Sequence, residues 1–310
     1  MADLDLTEVL ASTLADLDAD AVAIGAAVRG VSEVVCRGGY AGTRVHPASE
    51  FYGASVTKQM IGILLARAVI DGALQPIDRV SRWLPELSAQ TGFVQVQHLI
   101  HHTSGLADVV EFSDGDPSSN TDVIERFQRF RPTARAAPGT RYSYNNTGYV
   151  LLAECLSRSL DRPIADLAAT TLFGPLTMNH TRLGGPPVEV PGCRNPPGTI
   201  GDGALWVSID DLLRWLEACN ARAFGAEVHR LAETTTQLTD GSPVDYAWGV
   251  RITPTSHGRV VSHGGSWSTW QAKTVRIPER SIAVAVLSVG ATASSVSDAG
   301  TGLATALAAR

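Results

Sequence analysis

The sequence predicts an α+β protein in which both ends of the chain build one antiparallel sheet, helices flank it, and a mostly helical lobe is inserted between the two halves. Three observations carry this. Two short valine-rich runs near the amino terminus, Ala21 to Val28 and Ser32 to Arg37, are joined by Arg29-Gly30-Val31, a good hairpin connection. Further strand-like runs return only late in the chain. Between them the pattern is helix and loop, punctuated by Pro85, Pro117, Pro132, Pro138, Pro163 and Pro175. Residues 1–50 and 205–310 are therefore expected to form the sheet lobe, and residues 51–204 the helical lobe, of one domain spanning residues 1–310.

The elements follow in order. Leu4, Leu6, Val9, Leu10, Leu14 and Leu17 recur at spacings near three and four and predict an amphipathic helix over residues 4–19. The hairpin ends at Gly38-Gly39-Tyr40-Ala41-Gly42. A helix is expected from Ser55 to Ile70, stopped by Asp71-Gly72. The late strands are read as Tyr246 to Ile252, Arg259 to His263, Trp270 to Ile277 and Ser281 to Val289, followed by a closing helix from Ser297 to Arg310.

Composition narrows the partners. A net charge of -6 with evenly scattered arginines offers no basic stripe for phosphates, so no nucleic acid is expected and a small neutral or mildly polar substrate fits better. No apolar run approaches the roughly 20 residues that span a bilayer, so no membrane partner is expected. The start Met1-Ala-Asp-Leu-Asp-Leu lacks the pattern of a secretory signal, which predicts a cytoplasmic protein. Cys36, Cys155, Cys193 and Cys219 form no Cys-x-x-Cys pair and are read as free, mostly buried thiols. No metal or cofactor is expected. His101 and His102 are adjacent and cannot share a helical face as metal ligands, and Asp114 to Asn120 lacks the closing glutamate of a calcium loop, so it is read as a loop rimming a cleft. Asp210 and Asp211 read as helix-start acids.

Chemistry is signalled first by the lysines. The chain has two, against twenty-three arginines, and Lys58 stands three residues after Ser55 in Gly53-Ala54-Ser55-Val56-Thr57-Lys58. Arginine keeps its proton, whereas a desolvated lysine can become a neutral amine, so this spacing suggests proton transfer from Ser55 to Lys58. On a helix the two side chains lie nearly one turn apart on one face, and the helix start offers free N–H groups to an oxyanion. A solvated helical lysine is the alternative.

Two further clusters accompany the pair. In Tyr142-Ser-Tyr144-Asn-Asn146, Tyr144 and Asn146 are two apart in an extended segment and can face one side; a phenol there passes protons, and an amide grips a substrate carbonyl or holds the lysine. Aromatic packing at a helix entry is the alternative. In Val260-Val-Ser-His263-Gly264-Gly265-Ser266-Trp267 a strand ends in two glycines, which admit a substrate close to the backbone, so that the N–H of Ser266 can complete an oxyanion hole with that of Ser55. His263 taken alone fits a structural, hydrogen-bonded role equally well. Trp267, Trp270, Phe112 and Tyr40 are candidates for an apolar acyl or leaving-group pocket, with core packing the default for each.

Together with Leu99-Ile-His-His102-Thr-Ser-Gly-Leu106 and Gly201-Asp-Gly-Ala-Leu-Trp206, these clusters resemble the class C β-lactamase-related serine hydrolases, a family that includes DD-peptidases, esterases and acyltransferases. The resemblance covers about residues 20 to 290 and implies a β-lactamase/transpeptidase-like fold with the active site between sheet and helical lobe. It carries the family's Ser-x-x-Lys motif onto Ser55 and Lys58, its Tyr-x-Asn motif onto Tyr144 and Asn146, and its Lys-Thr-Gly-like motif onto His263, Gly264 and Gly265. His-Thr-Ser-Gly is structural in the family. The implied activity is serine hydrolysis or acyl transfer on an ester or amide of a small molecule through a Ser55 acyl-enzyme, with a small-molecule acyl donor and a possible second small-molecule acceptor as partners. A D-residue peptidase or amidase and a β-lactamase are the alternatives, and a non-catalytic binding or sensor protein is the alternative of a different class. His263 in place of lysine, and Gly264 in place of threonine, depart from the penicillin-recognising pattern and remove a hydroxyl that holds a substrate carboxylate.

Overall fold

A computed structural model describes residues 5–111 and 115–310. Two antiparallel strands, β1 (Ala21–Val28) and β2 (Val31–Tyr40), turn at Arg29 and Gly30, both in the left-handed region with φ of 53° and 85°. The edge strand β3 (Thr43–Arg44) follows, and β4 (Phe51–Ala54) leads into the helical lobe. That lobe holds α2 (Thr57–Ile70), the short α3 (Val80–Trp83), α4 (Ser88–Thr91) and α5 (Val96–Ile100), then α6 (Asn120–Phe130), α7 (Asn146–Leu160) and α8 (Ile164–Ala168). Before β1 lies α1 (Leu6–Ala15), shorter than the expected 4–19; Asp5 caps it by accepting from the Glu8 N–H, and Leu4 lies outside the described residues.

The chain returns through β5 (Thr181–Leu183), β6 (Leu205–Val207), α9 (Ile209–Asn220), α10 (Ala226–Ala232), the two-residue strands β7 (Thr236–Gln237) and β8 (Pro243–Val244), and four long strands. These are β9 (Arg251–Thr255), β10 (Gly258–Trp267), β11 (Trp270–Ile277) and β12 (Ile282–Val289), and α11 (Ala293–Ala308) closes the chain. The main sheet runs β3-β2-β1-β12-β11-β10-β9, all antiparallel. Its centre joins the two ends of the sequence: β1 pairs with β12, Ala21 opposite Val289 and Val28 opposite Ile282.

Alternation decides which residues face which helices. Val22, Ile24, Val284 and Val286 point to α1 and α11, meeting Leu10, Leu14, Leu303 and Leu307. Ala21, Ala23, Ala283, Ala285 and Leu287 point the other way, into a core shared with α9 and the helical lobe. That face is small so that α9 can sit close: a Cβ on Gly25 would already lie 3.3 Å from Leu213. One expectation is corrected. The run from Tyr246 does not form a strand up to Ile252; it turns at Gly249, φ 82°, and β9 begins only at Arg251. Within residues 51–204, read as mostly helical, β4 and β5 are short strands that pair with β6 in a small sheet of order β4-β6-β5. Elements of two to four residues carry too little alternation to be recognised.

Candidate active site

Ser55 sits in the turn between β4 and α2. Ala54 ends the strand at φ 44°, a left-handed conformation that costs a non-glycine residue of order 1–3 kcal/mol. The turn is pinned from several sides: Val56 N–H donates to Gly53 O, Lys58 N–H to Ser55 O, and the Thr57 hydroxyl donates to Ala54 O while accepting the Leu205 N–H of β6. The helix begins at Thr57, two residues later than expected, but the Ser55-to-Lys58 turn is closed. From Thr57 to Ala66 every side of α2 is buried, so Lys58 is fully buried with it.

Three oxygens surround the Lys58 amine. Nζ lies 3.0 Å from Ser55 Oγ, 3.0 Å from Asn146 Oδ1 and 2.7 Å from the backbone oxygen of Asp202. The Tyr144 ring stands 5.0 Å from it, centroid to nitrogen, and that of Tyr149 5.5 Å. Ser55, Lys58, Tyr144 and Asn146 are thus brought together. Tyr144 is 40% exposed, and its ring leans on the buried His102 at 4.3 Å between centroids. His102 in turn accepts the Asn145 N–H at Nδ1, and burial pushes its imidazole well below the usual histidine range. The segment around Tyr144 is extended only up to Asn145, which caps α7 by accepting the Gly148 N–H; Asn146 is the first residue of the helix.

Two residues that sequence reasoning passed over complete the arrangement. Asp108 is buried and accepts from Asn146 N–H at 2.6 Å, from Thr147 N–H at 3.0 Å and from the Thr147 hydroxyl at 2.6 Å, so it fixes the helix end that carries the lysine's amide partner. Asp202 serves through its carbonyl, which no side-chain pattern reveals; the motif Gly201-Asp-Gly-Ala was visible, but not that its backbone turns inward, with Gly201 at φ 128° and Ala204 at φ 84°. Burial raises the Asp202 carboxyl above the usual carboxylate range, against the pull of Lys58.

The glycine strand lies along the other wall. A Cβ on Gly265 would fall 2.1 Å from Gly53 O, so this glycine lets β10 touch the backbone of β4 and brings Ser266 beside Ser55. Gly264 has open space by comparison. His263 turns inward, its Nδ1 2.6 Å from Gly264 O and its Nε2 2.8 Å from the Tyr246 hydroxyl. A carbonyl only accepts, so Nδ1 carries the proton and Nε2 accepts from Tyr246. Burial, with Lys58 nearby, lowers this imidazole to about 3.

Ser55 opens into a cleft of about 470 Å³ whose walls include Tyr52, Val110, Asp116, Asn146, Arg194, Asp202, Ser266 and Trp267. This lining is mixed and polar. Of the aromatic candidates among the described residues only Trp267 reaches it: Trp270 and Tyr40 pack edge to face with each other and with Phe51. Phe112 and Asp114 of the rim loop lie outside the described residues. His101 is also inward, Nδ1 on Tyr246 O at 2.8 Å, and the four cysteines are free thiols. No helix is long and apolar enough to cross a membrane among the described residues.

A serine against a buried lysine, in a cleft between an antiparallel sheet and a helical lobe, belongs to a β-lactamase/transpeptidase-like fold. A family model described as Beta-lactamase matches residues 10–307, and the chain belongs to that family. It is 28% identical over 265 residues to "Penicillin-binding protein 4*" of Bacillus subtilis (74% of this chain, 58% of the relative), and 26% identical over 262 residues to a "D-aminopeptidase" of Gluconobacter oxydans (78% and 49%). The chain spans about half the length of these curated relatives. Among solved structures, an octameric penicillin-binding protein homologue from Pyrococcus abyssi shares the fold with a TM-score of 0.81 at 23% identity, covering 98% of this chain and 78% of that one. A β-lactamase/D-alanine carboxypeptidase from Yersinia pestis, complexed with citrate, does so with a TM-score of 0.78 at 18% identity, covering 97% and 99%.

Proposed function

We propose that this chain hydrolyses, or transfers the acyl group of, an ester or amide of a small molecule through an acyl-enzyme on Ser55. The observation that carries the proposal is the set of atoms around the Lys58 amine. Asn146 Oδ1 and Asp202 O can only accept, so they occupy two N–H directions and leave the third facing Ser55 Oγ. A neutral amine held this way presents its lone pair to the serine hydroxyl. Lys58 takes that proton as Ser55 Oγ bonds to the substrate carbonyl carbon, and the N–H groups of Ser55 and Ser266 receive the oxyanion. The proton that Lys58 took is then delivered, by Lys58 directly or relayed through Tyr144, to the departing oxygen or nitrogen as its bond to the carbonyl breaks, which returns Lys58 to the neutral amine. Water, or a second small molecule, then releases the acyl group by the reverse proton path.

The test is intact-protein mass spectrometry after exposure to a fluorophosphonate. One adduct on Ser55 is expected; no adduct favours a non-catalytic binding protein on the same fold. The relatives named D-aminopeptidase support a second reading, cleavage of peptides or amides bearing D-residues. Turnover of D-alanine p-nitroanilide with p-nitrophenyl acetate left untouched would favour that reading, and rapid opening of a chromogenic cephalosporin would favour a β-lactamase.

A further inference from the structure

We infer that Arg194 is a carboxylate receptor at the mouth of the cleft and that the substrate carries a free carboxylate, an inference that rests on the Ser55 acyl-enzyme reading. The third motif does not supply this recognition: both ring nitrogens of His263 are used inside the protein, and Gly264 brings no hydroxyl. Among the described residues that line the cleft, Arg194 is the one cation.

Its placement is built from several sides. The Arg194 N–H donates to Ser268 Oγ at 3.2 Å, and its carbonyl accepts the Trp267 indole N–H at 3.1 Å. The guanidinium lies over the Trp267 ring at 4.4 Å, and its Nε is 3.4 Å from Asp116 Oδ2. Nη1 and Nη2 have no hydrogen-bond partner among the described residues. That leaves a planar fork, 65% exposed at the mouth of the cleft, which matches a carboxylate with parallel N–H donors. The fixed backbone and the stacked indole reduce the ordering cost of binding. Asp116 and Asp202 also line the cleft and oppose an anion, so the selection comes from the geometry of the fork more than from net charge. A carboxylate-bearing substrate departs from the neutral or mildly polar one that composition suggests.

The experiment compares kcat/KM, each value corrected for the ester's alkaline hydrolysis rate, for two pairs of esters. One pair places the carboxylate on the acyl side (p-nitrophenyl hydrogen glutarate against p-nitrophenyl butyrate), the other on the leaving group (3-acetoxybenzoate against phenyl acetate). In at least one pair the anionic ester is expected to be favoured by about ten- to hundredfold, the range of a charge-assisted hydrogen-bonded pair. Arg194→Gln should bring that ratio to near one and Arg194→Lys should lower it partly. Arg230→Gln, a substitution of an exposed arginine on α10, should leave it unchanged. Ratios near one in both pairs, or a ratio indifferent to Arg194→Gln, overturn the inference while the hydrolase reading stands. Failure of all four esters to acylate Ser55 removes that reading, and this inference with it.

Discussion

Lys58 Nζ lies 3.0 Å from Ser55 Oγ, at the end of a side chain that is wholly buried. The Lys58→Met variant keeps much of the volume and loses the proton acceptor, so kcat/KM on a p-nitrophenyl ester should fall by about 10²–10⁴-fold. Lys58→Arg keeps a cation but not the acceptor and should fall as far. Its larger head also overpacks a closed site, which should lower stability by about 1–3 kcal/mol in urea unfolding. Activity retained in Lys58→Arg would remove the lysine from the chemistry.

Tyr144 separates proton transfer from packing. The Tyr144→Phe variant leaves the ring against His102, so stability should change by less than about 1 kcal/mol, whereas kcat should drop by about 10²-fold or more. A thermal melt and steady-state kinetics on one preparation measure both. Unchanged kcat would assign Tyr144 to packing alone.

The two glycines of β10 should respond in opposite ways. Gly265→Ala places a methyl against Gly53 O and should cost about 1–3 kcal/mol and most of the activity, because β10 must withdraw from the serine turn. At Gly264 the nearest atom to a new Cβ is 3.7 Å away, so Gly264→Ala should fold with near-normal stability. Equal effects of the two substitutions in chemical denaturation would contradict this account of the motif.

Acid sensitivity follows from His263. Its folded value is about 3 against an ordinary 6.5, so between these limits the unfolded chain binds a proton that the folded chain refuses. The contribution is fully present above about pH 6.5 and is lost as the pH falls through this window, with a slope of up to about 1.4 kcal/mol per pH unit. His229, lowered by burial to about 4, adds to the loss in the same direction. Urea unfolding from pH 7 to pH 4 measures the slope, and His263→Gln should reduce it by about one proton. An unaltered slope in that variant would sink the assignment.

Much of the fold is legible because the sheet is long and its central strands, β1, β12 and β11, are buried on both faces. Trp270 to Ile277 was read at its observed limits, and Ser281 to Val289 within one residue. The segment Tyr246-Ala-Trp misled because its apolar residues serve another purpose. It folds back at Gly249 onto the start of α2, where a Cβ on Gly249 would fall 2.0 Å from Lys58 O. Ser55, Lys58, Tyr144 and Asn146 stand out by side-chain chemistry at short spacings, and the fold brings them together. Asp108 was not, since it meets Asn146 from 38 residues away, and the Asp202 carbonyl carries no residue signature at all. The apolar pocket expected from tryptophans gave way because Trp270 and Tyr40 are needed against Phe51 to hold β4 to the sheet.

In the proposed function Ser55 carries the acyl group covalently and Lys58 enables its transfer. Rapid acid quench of the protein with an excess of p-nitrophenyl acetate, followed by peptide mass spectrometry, reads this directly. The account predicts an added acetyl group on the peptide containing Ser55 within the first turnover, and its loss in Lys58→Met. An acetyl group on another residue, or undiminished labelling of Ser55 in Lys58→Met, would contradict it.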